Sequence, residues 1–314
     1  MNKETIESAI FGVVVGDAVG VPYEFSSIGL LKESPVKDME GYGSHNKPKG
    51  TWSDDSSMTL ALLDSLSSNE ISYDDIMKKF IEWYENDGYT SDGSVFDYGK
   101  TTEYALINYM NGKNPLSCGL KGIRDNGNGS LMRTIPITLY LNIKNTPMDK
   151  QIEIVSNVSS LTHAHPISTI SCNIYNILVQ EILNNPGEKF NTLIKNSLEK
   201  SREYFGDNEY FEEFDRLYDE EFYNSNDSIE RGRGYVVSSL EVALYSCYNT
   251  SSYKEAVLKA VNFAGDTDTN GAITGGIAGL YYGLDSIPEE WRNSIVNKEL
   301  VYDLCQKFYD NVEW

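Results

Sequence analysis

Basic residues, prolines and paired cysteines are all scarce in this 314-residue chain. Lys and Arg number 26 against 47 Asp and Glu, which leaves a formal charge of -21. So acidic a surface repels phosphate backbones and anionic lipid, and it excludes free nucleic acid as a general partner. Only 9 prolines are present, too few for a collagen-like or Pro-rich disordered chain. The cysteines Cys118, Cys172, Cys247 and Cys305 are scattered, with no CxxC pair to suggest zinc and no short secreted framework to staple. They are expected to be reduced, buried thiols. No apolar run approaches the roughly 20 residues of a spanning helix. The opening MNKETIESAIFGVVVGDAVG has neither the basic n-region nor the small-residue cleavage site of a signal peptide. A cytoplasmic protein without a membrane partner is expected.

What is present suits a folded globule, with apolar residues at 40%, charged at 23% and aromatic at 12%. At roughly 150 residues per domain the length alone suggests two domains. Apolar residues recur at helical spacing, as in Ile76, Phe80, Trp83 and Tyr84, or Val257, Ala260, Val261 and Ala264, so the fold is expected to be mainly α. One stretch, Ile135 to Ile143, can also be read as a short edge strand. Loops are expected in GYGSHNKPKG before Thr51, in NDGYTSDGSVFDYGK around Asp92, in RDNGNGS around Asn126 and in NSNDSIERGRG around Asp227. The acidic stretch EYFEEFDRLYDEEFY carries interleaved aromatics and reads as a surface helix with an apolar stripe.

Two acidic clusters sit at helix entrances. In GTWSDDSSMTLALLDSL, Ser53 can cap a helix whose apolar face runs through Met58, Ala61, Leu62 and Leu66. Asp54 and Asp55 also suit the positive end of such a helix without any function. In NFAGDTDTNGAITGGIAGLYYG, Asp266 and Asp268 lie in a Gly-flanked turn before a helix lined by Ala272, Gly275, Gly276 and Gly279. Glycine costs about 1 kcal/mol against alanine in a helix interior, so this run implies that another backbone approaches closely and that the turn is buried. Two buried carboxylates repel unless a cation or strong donors compensate. Carboxylates plus hydroxyls form a hard-oxygen set suited to Mg²⁺ or Mn²⁺, and the two clusters together would supply a two-metal centre if they meet.

Other motifs carry weaker signals. GVVVGDAVGVPYEF holds Asp17, which can cap a break in its own helix, and Glu24, which can act as a catalytic carboxylate. RDNGNGSLMR is a tight turn whose N–H groups can hold a diphosphate, and LTHAHP holds two of the 3 histidines, either catalytic or at a capped helix end.

Taken in order from residue 16 to residue 283, GDAVGVPYEF, GTWSDDSSM, FDYGKTT, GNGSLMR, THAHP, GYVVSSLEVAL and GDTDTNGAITGGIAGLYYG resemble the ADP-ribosylglycohydrolase family. The resemblance spans nearly the whole chain, so it implies one domain over 1–314, all-α and orthogonally packed, in place of the two suggested by length. It implies a binuclear Mg²⁺ or Mn²⁺ centre with Ser53, Asp54, Asp55, Asp266, Asp268 and Thr269 as ligands. Ser53 stands where the family usually has threonine, which keeps the hydroxyl and loses a methyl. It further implies an ADP-ribosylated protein or ADP-ribose conjugate as substrate. Asn128, Gly129 and Ser130 would lie at the diphosphate, His163 near the phosphates or ribose, and Tyr235 over the nucleoside end. Asp97 of FDYGKTT matches members that act on ADP-ribosyl-arginine, whereas members acting on serine linkages rely more on the carboxylate here at Glu24. Asp55 and a metal would activate the water. The alternative for Asp97 is a loop aspartate capping the helix after Lys100. A non-catalytic ADP-ribose binder of the same fold is the rival from outside enzymology. Oligomeric state stays open, with a monomer favoured.

Overall fold

The computed structural model describes residues 1–225 and 234–313, so most of the loop expected around Asp227 lies outside the described residues. The α-helices among them run α1 (Lys3–Gly20), α2 (Ile28–Glu33), α3 (Asp54–Leu66), α4 (Tyr73–Asn86), α5 (Lys100–Met110), α6 (Ile135–Ile143), α7 (Met148–Ser160), α8 (Pro166–Asn184), α9 (Phe190–Phe205), α10 (Glu220–Asn224), α11 (Val236–Tyr248), α12 (Tyr253–Val261), α13 (Thr267–Tyr282), α14 (Glu289–Ser294) and α15 (Lys298–Asn311). No β-strand forms among the described residues, and the fold is all-α. One contiguous apolar core holds residues from Ile6 near the start to Val312 near the end.

The chain's two ends are locked together by glycine. Helix α1 is buried from Ile6 to Gly20 and is apolar there except at Glu7, Ser8 and Asp17, as suits a central helix. It packs most extensively against α13, and the two run antiparallel with Gly12 facing Gly275 and Gly16 facing Gly271. A Cβ on Gly16 would lie 2.1 Å from the Gly271 carbonyl oxygen, and one on Gly275 would lie 2.1 Å from that of Gly12. The close backbone approach expected from the small residues of α13 is therefore real, and α1 supplies it. It sets Asp17 and Asp268 beside each other at the same end of the helix pair. Replacing Gly16 with Ala is expected to cost about 3 kcal/mol or more, because backbone rather than a flexible side chain must give way. Urea unfolding would test this against Gly29→Ala, where the nearest atom is a serine hydroxyl at 3.9 Å. Equal midpoints for the two variants would refute the close-packing argument.

Contrary to the expectation that no apolar run is long enough, α1 extended to Tyr23 could cross a bilayer by length and composition alone. In the fold 94% of that window is buried inside the protein.

The edge-strand alternative for Ile135 to Ile143 does not hold, since the segment is helix α6 with a proline in its first turn. Nearly every residue of α6 is buried, so no polar face marks the helical period, and a short apolar run of this kind is ambiguous in sequence. The acidic stretch keeps its expected apolar stripe, with Phe211, Phe214 and Leu217 buried. It is wound as a 3-10 helix over Phe211–Tyr218 followed by the short α10. All four cysteines are buried and free.

Candidate active site

Ser53 caps α3 as expected, its hydroxyl accepting from the Asp55 N–H. A second cap comes from outside the helix. Asp17 accepts from the Ser53 N–H at 3.0 and 3.1 Å and from the Ser56 N–H at 3.1 Å. The internal-cap reading of Asp17 is thereby corrected, because α1 runs unbroken through it to Gly20 and the carboxylate serves α3 instead. The result is that Asp54 and Asp55 stand beside the first turn of α13.

Two groups of carboxylates converge there and share Asp268. One oxygen each of Asp17, Asp55 and Asp268 lies within 4.8 Å of the others, and the same holds for ligand atoms of Glu24, His45, Asp97 and Asp268. Ser53 and Thr269 donate to Asp55 Oδ2 at 2.9 and 3.2 Å. Asp55 Oδ1 and Asp268 Oδ2 are buried with no hydrogen-bond partner among the described residues. Nor does any Lys or Arg among those residues form an ion pair with Asp54, Asp55, Asp97 or Asp268.

Such crowding leaves its mark on proton affinity. Burial first, then the neighbouring acids, hold Asp54, Asp55 and Asp268 well above the usual carboxylate range. Burial also lifts Asp17 to about 7 against the opposing hydrogen bonds from Ser56 and Ser53. Asp97 is pushed up to about 8 by burial and by Glu24. Buried acids with unpartnered oxygens and no cationic side chain are what a metal-ion site requires, and these groups can hold one.

Above this floor opens a cavity of about 280 Å³, lined by Glu24, Asp54, Asp97, Asp266 and Thr269 together with Gly127, Asn128, Gly129 and His163. Asp97 adopts a left-handed backbone (φ 59°), a conformation that aspartate tolerates better than most residues. It does not cap the helix after Lys100, whose N-cap is Gly99 with no side-chain cap.

The glycine-rich turn is placed differently from the simple expectation of a diphosphate cradle. The Asn128 N–H donates to the Gly234 carbonyl at 2.9 Å, while its side chain donates to Asp266 Oδ2 and Ser239 Oγ, both at 2.9 Å. Asn128 thus ties the turn to the acidic floor. The N–H groups of Gly129 and Ser130 have no hydrogen bond among the described residues. Ser130 turns its hydroxyl inward, accepting from Ser159 at 2.9 Å beside Cys172, and does not line the cavity. Of the two THAHP histidines, His163 lines the cavity and His165 caps α8, so both alternatives for that motif are realised, one by each ring. Tyr235 bridges its backbone to Gly127 and donates its hydroxyl to Glu213 at 2.8 Å. Its neighbour Gly234, rather than its ring, lines the cavity.

Sequence reasoning missed His45. Its Nε2 meets Glu24 Oε2, and its ring stands between those of Phe96 (5.0 Å) and Phe25 (5.9 Å). The sole available signal was a histidine in a Gly-rich loop, with no periodicity linking it to Glu24.

A sequence model of a family described as ADP-ribosylglycohydrolase matches residues 2–314. The chain is 29% identical over 311 residues to the ADP-ribosylarginine hydrolase Tri1 of Serratia proteamaculans, covering 98% of this chain and 80% of that one. It is 28% identical over 290 residues to the ADP-ribosyl-[dinitrogen reductase] glycohydrolase of Rhodospirillum rubrum, covering 91% of this chain and 88% of that one. A solved structure, an ADP-ribosylglycohydrolase-related protein complex, superposes with a TM-score of 0.81 at 27% identity, covering 99% of both chains.

Proposed function

The chain belongs to the ADP-ribosylglycohydrolase family, and from that premise we propose that it removes ADP-ribose from modified arginine side chains in a metal-dependent hydrolysis. The observation that carries the arginine reading is the position of Asp97, on the cavity wall with Glu24 and with Asp268 of the acidic floor within reach. Ser53, Asp54, Asp55, Asp266, Asp268 and Thr269 would hold two Mg²⁺ or Mn²⁺ ions. When bound, such ions supply Lewis-acid polarisation and a template for the ribose hydroxyls.

The protein's own groups account for the proton traffic. In hydrolysis the bond from the anomeric carbon to the guanidino nitrogen breaks with its electron pair leaving on nitrogen, and water supplies the new C–O bond. Asp97, on the cavity wall, would give its proton to the departing nitrogen. Asp55 or Glu24 takes the proton that water gives up. The N–H groups of Gly129 and Ser130, which have no hydrogen bond among the described residues, would receive the phosphates with His163, and Tyr235, whose neighbour Gly234 lines the cavity, would cover the nucleoside end.

Glu24 supports a second reading, release from serine-linked or other ADP-ribose conjugates, because it lines the same cavity as Asp97. The two separate in one experiment, release of ADP-ribose from arginine-linked and serine-linked ADP-ribosyl protein with Mg²⁺, Mn²⁺ or chelator. Metal-dependent release from arginine is expected, and Asp97→Asn should slow it by about 10²-fold or more, the range of a lost general acid. Release from serine alone would shift the chemistry to Glu24, and retained ADP-ribose binding with no release from any conjugate would leave a binding protein.

A further inference from the structure

Arg133 is buried completely, yet among the described residues it forms no ion pair. Burial lowers its guanidinium to about 10, which still leaves it charged at neutral pH. A lone buried cation is expensive, and it is held here by the Val158 carbonyl near the C-terminus of α7, by the face of Phe80 at 4.7 Å, and by the Thr162 hydroxyl. Only the last of these leads to the cavity.

The hydrogens in that chain can be assigned from chemistry. A guanidinium only donates, so its NH2 donates to Thr162 Oγ1 across 2.8 Å. Thr162 Oγ1 lies 2.8 Å from His163 Nδ1 and has no other acceptor among the described residues. A buried hydroxyl hydrogen without an acceptor is disfavoured, so the Thr162 hydroxyl donates to Nδ1 and leaves the imidazole proton on Nε2. The ring has little freedom to escape this. The His163 backbone N–H donates to the Ser159 carbonyl at 2.8 Å, and the Leu120 N–H and Ala164 N–H bonds clamp the backbone on either side. A Cβ at Gly127 would lie 3.4 Å from Nε2, and one at Gly129 would lie 3.0 Å from Cε1, so that edge of the ring faces the glycine turn and the cavity. Burial and the nearby Arg133 charge lower His163 to about 3, which keeps the second proton off.

We propose that Arg133 and Thr162 are positioning residues for His163, fixing the imidazole in the tautomer whose proton sits on Nε2 so that it presents a hydrogen-bond donor to a phosphate oxygen of the bound ligand. The phosphate assignment rests on the ADP-ribose reading above, whereas the tautomer does not. A neutral donor of this kind binds an anion equally well across the physiological pH range, unlike a titrating histidine.

Imidazole nitrogen NMR of the full chain tests the tautomer directly, since only His45, His163 and His165 contribute and His163→Gln identifies the signal. Wild-type protein is expected to show a protonated Nε2 and a bare Nδ1. Thr162→Val, nearly isosteric, should release the tautomer and weaken ADP-ribose binding by roughly tenfold, the effect of one hydrogen bond to a charged group. Thr162→Ser should restore both, which a purely structural role for Arg133 would not require. A proton on Nδ1 in the wild type overturns the proposal, as does a folded Thr162→Val protein with unchanged tautomer and affinity. Wild-type protein that shows the expected tautomer and fails to bind ADP-ribose overturns the substrate reading alone.

Discussion

Asp268→Asn is expected to give a folded protein whose hydrolysis of ADP-ribosyl conjugates falls on the order of a thousandfold, with a metal-free melting temperature no lower than that of the wild type. Asp268 is the one residue shared by both carboxylate groups, and its Oδ2 is buried without a partner. The substitution keeps the shape and removes a charge that burial and Glu24 already disfavour. Ordinarily, deleting half of a buried ionic contact destabilises, because the other half is stranded. Here Glu24, Asp97, Asp266 and Asp55 all repel the Asp268 charge, so the variant relieves repulsion, offset by the need of the new amide for acceptors and by a weaker interaction with the N-terminus of α13. Loss of function joined to retained or increased stability marks a site whose strain serves chemistry. Thermal melts in chelator alongside turnover with Mg²⁺ or Mn²⁺ would decide the matter. Wild-type turnover would remove Asp268 from the reaction, and a collapsed fold would make its role structural.

Much of this architecture is readable in the sequence, for reasons that differ from element to element. Helix α4 shows itself through Ile76, Phe80 and Trp83 because one face is buried and the other wet. Helix α13 shows itself through its glycines, since glycine survives in a helix interior only where something must come close. The partner was less legible. Gly12, Gly16 and Gly20 repeat at the same four-residue spacing in α1, yet nothing in a pattern of small residues says which two segments meet. Helix α6 carries no period because it has no exposed face. Ser130 follows Gly127, Asn128 and Gly129, which line the cavity, but a turn reverses side-chain direction within one residue, and its hydroxyl went to Ser159. His45 and Glu24 come together through the loop after α2, a tertiary event with no local signature. Composition and motif order locate the acidic floor, and the directions of individual side chains at its rim need coordinates.

The metal-free protein should lose stability as pH rises from about 4 to about 8, and a bound divalent cation should cancel that loss. Unfolded, these carboxyls titrate near 3.8, whereas the fold holds Asp17 at about 7 and Asp97 at about 8. Between those limits the folded chain keeps protons that the unfolded chain has released, so the stabilisation is complete below the unfolded value and disappears as pH climbs through the folded one. One such group gives a slope of about 1.4 kcal/mol per pH unit. The -21 formal charge adds self-repulsion in the same direction. Asp64 works the other way. Against the upward push of burial, hydrogen bonds from Lys307, Lys79 and Tyr89 hold it below the usual carboxylate range, so its contribution is present above the unfolded range and lost as pH falls below about 4. Protons and a divalent cation compete for the same oxygens of the acidic floor, so the melting-temperature rise produced by Mg²⁺ or Mn²⁺ should be small near pH 5 and largest near pH 8. Melts across that range with chelator and with each metal would show it. A rise of equal size at every pH would place the cation away from the buried acids, and no rise at any pH would leave Asp55 and Asp268 without the compensating charge that their burial demands.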